Sequence, residues 1–157
     1  MLRNLWAPWR MEYISAPKNV ECFLCSYAKS NRDDELFILK RGKYSYIVLN
    51  AYPYNNGHLM IAPYRHVVYP NDLTFEESME IMGFISLSID VLKRALSPDG
   101  FNIGVNIGRA AGAGVEHLHF HVVPRWFGDT NFMPIVSETK VISQHIRSTF
   151  EVLKKFL

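Results

Sequence analysis

Cysteine, long apolar runs and excess charge are all scarce in this chain. Only two of its 157 residues are cysteines, too few for a disulfide framework. Lysine and arginine number 17 against 15 aspartates and glutamates, and this net charge of +2 does not favour a nucleic-acid partner. No apolar run is long enough to span a membrane, and the opening MLRNLWAPWRMEYI lacks the apolar stretch of a secretory signal. We therefore expect a cytoplasmic protein without a membrane or nucleic-acid partner.

The residues that are present suffice for one globular domain. Hydrophobic residues make up 48% of the sequence and charged residues 20%. A chain of this length can bury a core of its own, and no internal repeat or low-complexity segment divides it. A single domain is expected over residues 1–157.

Four regions have the composition of β-strands. Residues 36–50, LFILKRGKYSYIVLN, and residues 58–69, HLMIAPYRHVVY, are rich in β-branched and aromatic residues and are separated by the turn-like YPYNNG. They predict two or three antiparallel strands. Two more strands are predicted at residues 101–107 and 116–124, joined by a glycine-rich loop.

Two helices are predicted from apolar residues that recur at steps of three and four. The first begins with a capping-box pattern at Thr74 and Glu77, and its apolar stripe is Met82, Ile85, Ile89, Leu92 and Leu96. The second begins at about Val141, with an apolar side made of Ile142, Ile146, Phe150, Leu153 and Leu157. Because strands and helices do not alternate regularly, the predicted fold is α+β with an antiparallel sheet of about five strands.

Three of the six histidines stand at alternate positions in GVEHLHFHVVPRW: His117, His119 and His121. On a β-strand these side chains would lie on one face, with the intervening apolar residues on the other. Such a face is either a wet strand surface or a site. An imidazole can attack phosphorus as a neutral nucleophile and can donate a proton near neutral pH. The pattern therefore favours phosphoryl chemistry, which needs little beyond positioning and charge neutralisation.

The loop before the histidines is rich in glycine. Gly104, Gly108, Gly112 and Gly114 in NIGVNIGRAAGAG would let backbone N–H groups approach an anion closely. No helix is predicted to follow this loop, which excludes the dinucleotide fingerprint and the P-loop.

The two cysteines, Cys22 and Cys25 in ECFLCSY, have the spacing of a metal or redox pair. Tetrahedral zinc would need two further ligands from elsewhere in the fold. The alternative is a pair of half-buried thiols without a metal.

Together these motifs resemble the histidine triad (HIT) superfamily. Its signature is a strand with three alternating histidines, here HLHFHVV, and the resemblance extends to VLNAYPYNNGHLMIAPYRH at residues 48–66 and to Asn106. The segments NLWAPWRMEYI and VPRWFGDTNFMPI resemble the bacterial and archaeal branch of diadenosine tetraphosphate phosphorylases and related hydrolases. The resemblance implies one HIT domain with an N-terminal segment over residues 1–35, a catalytic core over 36–126 and a C-terminal extension over 127–157.

Roles for individual residues follow from this resemblance. His119 would be the nucleophile that forms a covalent nucleotidyl-histidine, His121 would donate a hydrogen bond to the phosphate, and His58 would complete the cluster. The residues implied in nucleotide and phosphate binding are Asn50, Asn106, Gly112, Ala113, Gly114 and Trp126. Zinc-containing members of the superfamily imply a structural zinc held by Cys22, Cys25, His66 and His117. No organic cofactor is implied.

Three functions stay open at this point. The first is cleavage of dinucleoside polyphosphates, with phosphate or water receiving an AMP-containing group from His119. The second is a nucleoside phosphoramidase, and the third is a nucleotide-binding signalling module with little turnover. The resemblance also implies a homodimer in which the sheets join side by side and the long helices pack together. The alternative is a monomer whose apolar surface is covered by its own C-terminal helix.

Overall fold

The computed structural model describes residues 22–131, Val136 and residues 141–157. One antiparallel sheet of five strands lies between a layer of two helices and a short N-terminal helix. The elements in chain order are α1 (Phe23–Lys29), β1 (Ile38–Arg41), β2 (Ser45–Leu49), β3 (Leu59–Pro63), α2 (Phe75–Leu96), β4 (Gly100–Val105), β5 (Phe120–Arg125) and α3 (Ile146–Lys154). The strand order is β1-β2-β3-β5-β4, which confirms the predicted α+β fold with a five-stranded sheet.

Each face of the sheet has its own apolar cluster. On one face, Ile47, Leu49, Leu59, Ile61 and Val122 pack against α2 and α3. On the other, Tyr46, Val48, Met60 and Ala62 pack against Leu24 of α1. Because β2 and β3 are central and covered on both faces, every residue in these two strands is buried.

Helix α2 begins at the predicted capping box. The Thr74 hydroxyl accepts from the Glu77 N–H, and the Glu77 carboxylate accepts from the Thr74 N–H. The buried face of the helix is Ile81, Phe84, Ile85, Ser88, Val91 and Leu92. The predicted stripe was wrong at its first position, because Met82 is 56% exposed. One residue corresponds to about 100° around a helix, so the neighbour of the buried Ile81 turns away from the sheet.

The histidine strand is shorter than predicted. β5 begins at Phe120 instead of residue 116, so His121 is the one triad histidine within it. Its partner β4 pairs up to Val105, opposite Phe120, and then enters the glycine loop. Before Phe120 the chain therefore lacks that neighbour, and the Leu118 N–H instead donates to the Val67 carbonyl at 2.7 Å.

The C-terminal helix also begins later than predicted, at Ile146 instead of about Val141. His145 is its N-cap, with an extended backbone and a ring Nδ1 that accepts from the Arg147 N–H. Phe150 and Leu153 are fully buried as expected, whereas Ile142 and Leu157 lie outside the helix. No helix in the described part of the chain has the length and apolar character needed to cross a bilayer.

Candidate active site

The fold brings three predicted catalytic histidines into one buried cluster. His58 precedes β3, His121 lies in the neighbouring β5, and His119 is two residues before it on the chain. His58 Nε2 lies 2.9 Å from His121 Nδ1. The rings of His119 and His121 are 4.7 Å apart in an edge-to-face arrangement. His58 is fully buried, and His119 and His121 are 7% and 8% exposed.

The hydrogen bond made by His119 determines which of its nitrogens is free. His119 Nδ1 lies 2.7 Å from the His117 carbonyl oxygen. A carbonyl can only accept, so Nδ1 carries the proton and donates. The lone pair of neutral His119 is therefore on Nε2, as a nucleophile requires.

A second chain of hydrogen bonds determines the protonation of His121. The backbone N–H of Tyr54 donates to His58 Nδ1 at 3.0 Å, so the proton of His58 is on Nε2 and is donated to His121 Nδ1. The proton of neutral His121 is then on Nε2. Among the described residues this Nε2 has no hydrogen-bond partner although it is buried. Since buried donors are normally paired, an open N–H beside a nucleophilic nitrogen marks a place for a ligand acceptor.

Burial keeps these rings neutral. It lowers the pKa of His58 to about 3 and the pKa of His121 to about 4, and neighbouring histidines lower both further in the same direction. Burial also lowers the pKa of His119, against the opposing effect of its bond to the His117 carbonyl. Near neutral pH the cluster thus holds one free lone pair and one free N–H.

The two predicted asparagines lie beside the cluster. Asn50 Nδ2 is 3.2 Å from His58 Nδ1, and its Oδ1 accepts from the Tyr52 N–H at 2.9 Å. Asn106 directly follows Val105, the last residue of β4, which pairs with Phe120 next to His119. It is half-buried.

Some backbone N–H groups of the glycine loop donate to carbonyl oxygens within the loop itself. Gly112 donates to the Arg109 carbonyl and Ala113 donates to the Gly108 carbonyl, at 3.0 and 3.2 Å. Gly108 and Gly112 both have positive φ, at 77° and 86°, which explains the glycines at these two positions. Direct phosphate binding by Gly112, Ala113 and Gly114 stays a prediction, since two of the three amides already have carbonyl acceptors.

Trp126 lies outside the cluster. It follows β5, and its indole Nε1 donates to the Leu96 carbonyl at the end of α2 at 3.3 Å. Five residue steps separate Trp126 from His121, which corresponds to about 16 Å of extended chain. Its role in base stacking stays a prediction.

The four predicted metal ligands also meet. Cys22 Sγ lies 3.3 Å from His117 Nδ1, and Cys25 Sγ lies 3.3 Å from His66 Nδ1 and 3.4 Å from His117 Nδ1. All four donor atoms lie within 4.8 Å of one another. Zinc bonds to sulfur and nitrogen place such atoms about 3.5 Å apart around a tetrahedron, so the cluster fits this metal.

His117 is prepared for metal binding by its second nitrogen. Its Nε2 lies 3.0 Å from the Pro63 carbonyl, so Nε2 carries the proton and Nδ1 offers its lone pair to the thiol side. Burial lowers the pKa of this ring to about 4, which keeps it in the neutral form that a metal requires.

Two features of the site were not predicted from the sequence: the Tyr54 amide and the contact between Asn55 and Asp129. The Tyr54 amide acts through its backbone, which no side-chain pattern reveals, and its ring lies 4.5 Å from His58 and 5.6 Å from His121. Asn55 and Asp129 form a buried contact behind the same turn. The spacing of Tyr54, four residues before His58, was the available signal.

Comparison with known proteins agrees with this geometry. A sequence model described as the HIT domain matches residues 31–128. The chain belongs to the HIT family. This HIT protein is 47% identical over 161 residues to AP-4-A phosphorylase of Mycobacterium tuberculosis, covering 97% of this chain and 83% of that one. It is 33% identical over 90 residues to bis(5'-adenosyl)-triphosphatase of Saccharomyces cerevisiae, covering 57% and 44% of the two chains.

The fold of this HIT protein is also found among solved structures. The crystal structure of a Zn-bound histidine triad family protein from Mycobacterium smegmatis superposes with a TM-score of 0.71. The two chains are 23% identical, and the match covers 87% of this chain and 92% of the other. At this identity the likeness supports the fold alone.

Proposed function

We propose that this chain cleaves dinucleoside polyphosphates such as diadenosine tetraphosphate, transferring a nucleotidyl group to phosphate or water through a covalent intermediate on His119. The observation that carries the proposal is the pair of free nitrogens in the cluster. His119 Nδ1 is bonded to the His117 carbonyl, which leaves the Nε2 lone pair for attack. The neighbouring His121 Nε2–H is buried and has no partner among the residues that the structure describes. The 47% identity with an AP-4-A phosphorylase supports this substrate class.

The reaction would proceed in two displacements. First, the His119 Nε2 lone pair bonds to the α-phosphorus, while the P–O bond to the remaining polyphosphate breaks and its electrons leave with the oxygen. His121 Nε2–H donates to the phosphate oxygens as charge develops on them. Next, an oxygen of inorganic phosphate or water bonds to phosphorus, and the P–N electrons return to His119. Phosphate yields a nucleoside diphosphate; water yields a monophosphate and releases a proton.

We further propose that Asn50, Asn106, Gly112, Ala113 and Gly114 contact the ribose and phosphates. The contact of Asn50 with His58, and the position of Asn106 next to the last paired residue of β4, support this assignment. A role for Trp126 and the predicted cytoplasmic location stay predictions.

The test is product analysis with diadenosine tetraphosphate, with and without inorganic phosphate. Phosphate as acceptor gives ADP and ATP, whereas water gives AMP and ATP. His119→Ala should abolish turnover while nucleotide affinity is largely kept, because a nucleophile acts in the chemical step. His145→Asn, on an exposed histidine whose capping role asparagine can keep, is the matched control. Near-normal turnover by His119→Ala would reject the mechanism, and cleavage of adenosine phosphoramidate alone would favour the phosphoramidase.

We infer that zinc is the metal at Cys22, Cys25, His66 and His117, with a structural role. Two thiols and two imidazoles form a closed tetrahedral set, which is typical of structural sites because no position is left open for water. The ion would tie α1 to the segment that leads into β5.

We also propose a homodimer. The side chains of Phe75, Met79 and Met82 are 75%, 58% and 56% exposed, and their spacing of four and three residues places them on one face of α2. β4 is an edge strand, and its Ile103 is 46% exposed. An open sheet edge and an exposed apolar helix face each favour pairing with a second copy.

A further inference from the structure

The turn that precedes His58 is fixed from outside the histidine cluster by Asn55. This asparagine is 6% exposed, and its Nδ2 donates to the Pro124 carbonyl at 3.0 Å and to Asp129 Oδ2 at 2.8 Å. Its own carbonyl accepts from the His58 N–H at 3.2 Å. The turn therefore has side-chain bonds to the far end of β5 and a backbone bond to His58.

Several hydrogen bonds fix the position of the Asp129 carboxylate. Its side chain is 6% exposed and accepts from Arg125 Nε at 2.6 Å, from Arg125 Nη2 at 2.9 Å and from the Trp126 N–H at 3.2 Å. Arg125 is in turn bonded to Asn102 of β4 at 2.6 Å. A buried carboxylate with a forked arginine is a rigid acceptor, so Asn55 is anchored to the strand that also contains His121.

The position of this turn determines which ring nitrogen of His58 carries the proton. The Tyr54 N–H, from the residue before Asn55, donates to His58 Nδ1 at 3.0 Å and is the nearer of two donors, since Asn50 Nδ2 lies at 3.2 Å. A neutral imidazole carries its proton on one nitrogen, and the partner of the other nitrogen selects which. If the Tyr54 N–H moves away, His58 Nδ1 keeps only the side-chain donor of Asn50, so part of the His58 population can take its proton on Nδ1. In that part, His121 Nδ1 loses its donor.

We propose that Asn55, held by Asp129, is a positioning residue that keeps the Tyr54 N–H on His58 Nδ1 and thereby keeps the transferable proton on His121 Nε2. The kinetic consequence rests on the proposed function, whereas the protonation pattern does not. Asn55 acts through Tyr54 and His58, and nothing in the proposal requires it to touch substrate.

The direct test is two-bond 1H–15N NMR of the histidine rings, which distinguishes Nδ1–H from Nε2–H. In the wild type we expect His58 and His121 to be the Nε2–H tautomers. In Asn55→Ala a measurable Nδ1–H population should appear on both rings. Asn56→Ala is the matched control: this neighbouring asparagine bonds Ser143 at 2.7 Å and should leave the pattern unchanged. An unchanged pattern in Asn55→Ala, or equal changes in both variants, would overturn the proposal.

The kinetic test compares leaving groups of different basicity. An amine leaving from adenosine 5′-phosphoramidate must be protonated, whereas 4-nitrophenolate leaving from the AMP ester need not be. Asn55→Ala should lower kcat for the phosphoramidate by on the order of 100-fold, a typical general-acid contribution, with little change for the nitrophenyl ester or in KM. Equal losses on both substrates would indicate a merely structural role and overturn the proposal.

A second variant and the NMR pattern by itself distinguish failure of this proposal from failure of folding or of the proposed function. If Asn55→Ala does not fold, Asp129→Asn is the test variant, because it keeps the shape of the side chain but weakens the acceptor for Asn55 Nδ2. Retention of the wild-type tautomers in Asp129→Asn would overturn the proposal. If the wild type cleaves no nucleotide substrate, the proposed function fails, and the NMR pattern alone still tests the role of Asn55.

Discussion

At the scale of single residues, identical side chains have different capacities because their partners differ. His119, His121 and His117 are all buried imidazoles, yet their bonds to the His117 carbonyl, to His58 and to the Pro63 carbonyl leave a different group available on each. These groups are a lone pair on Nε2 of His119, an N–H on Nε2 of His121 and a lone pair on Nδ1 of His117. The imidazole ring provides the reactive groups, and its hydrogen-bond partners determine which nitrogen carries the proton. This explains why carbonyl and amide groups matter as much here as the four histidines.

His58 should make stability depend on pH. Its ordinary pKa of 6.5 falls to about 3 in the folded protein, so the unfolded chain binds the proton first. Stability from the neutral ring is present above pH 6.5 and is lost as the pH falls towards 3. His58→Gln should be less stable at pH 8 but have a shallower slope, by up to about 1.4 kcal/mol per pH unit, the value for one proton.

Urea unfolding between pH 4.5 and 8 measures this slope for each variant. Val48→Ala, a buried change without a titratable group, should lower the free energy of unfolding equally at every pH. A His58→Gln slope equal to that of the wild type would contradict the prediction.

At the scale of elements, α1 shows how a helix too short to be stable alone is held in place. It has seven residues, and its C-terminal carbonyls from Tyr27 and Ala28 accept from Arg41 of β1 at 2.9 and 3.1 Å. Arg41 also forms an ion pair with Asp33 at 2.8 Å. The other end of α1 bears the two cysteines, so the proposed metal and Arg41 secure opposite ends of one helix.

Removal of one thiol should release both metal and stability. We expect about one zinc per wild-type chain, and we expect Cys22→Ser to lose most of the zinc and to melt at a lower temperature, because metal binding is coupled to folding. Elemental analysis of protein purified without chelators, with melting curves before and after EDTA, measures both. Ser26→Ala on the exposed side of α1 should match the wild type. A metal-free wild type whose melting is insensitive to EDTA would contradict the assignment.

How far the sequence predicted these elements depends on how local their causes are. The start of α2 was predicted correctly because Thr74 and Glu77 bond to each other across three residues. The start of β5 was not, because it depends on where β4 leaves the sheet. The grouping of His58 with the catalytic histidines, and of His66 and His117 with the cysteines, was predicted from family resemblance. The tautomers of His58 and His117 depend on backbone amide and carbonyl groups that no residue pattern encodes.

At the scale of the whole molecule, two apolar features are open to contact with a second copy: the exposed face of α2 and the edge strand β4. The register places Ile103 opposite Val122, on the sheet face that packs against α2. The proposed symmetric pairing of two copies would cover apolar side chains of both features. The structure changes which residues test it, because Ile85 of the predicted stripe is 5% exposed and belongs to the core of its own chain.

Met79→Glu should separate the dimer into monomers, since it places an unpaired charge in the proposed contact without touching the core. Light scattering at low micromolar concentration should give twice 18.1 kDa for the wild type and close to 18.1 kDa for the variant. Val141→Glu, at an exposed apolar residue outside α2, is the control and should remain dimeric. A wild-type mass of a single chain would reject the dimer.

His117 takes part in two separate contacts, one through its side chain and one through its main chain. Its ring faces the cysteines, while its carbonyl fixes the tautomer of His119, and any amino acid at this position would still present that carbonyl. Changing the ring and the two thiols would therefore remove the proposed metal without removing the carbonyl that accepts from His119 Nδ1–H. The proposed metal site and the tautomer of His119 can thus be altered independently of each other in this chain.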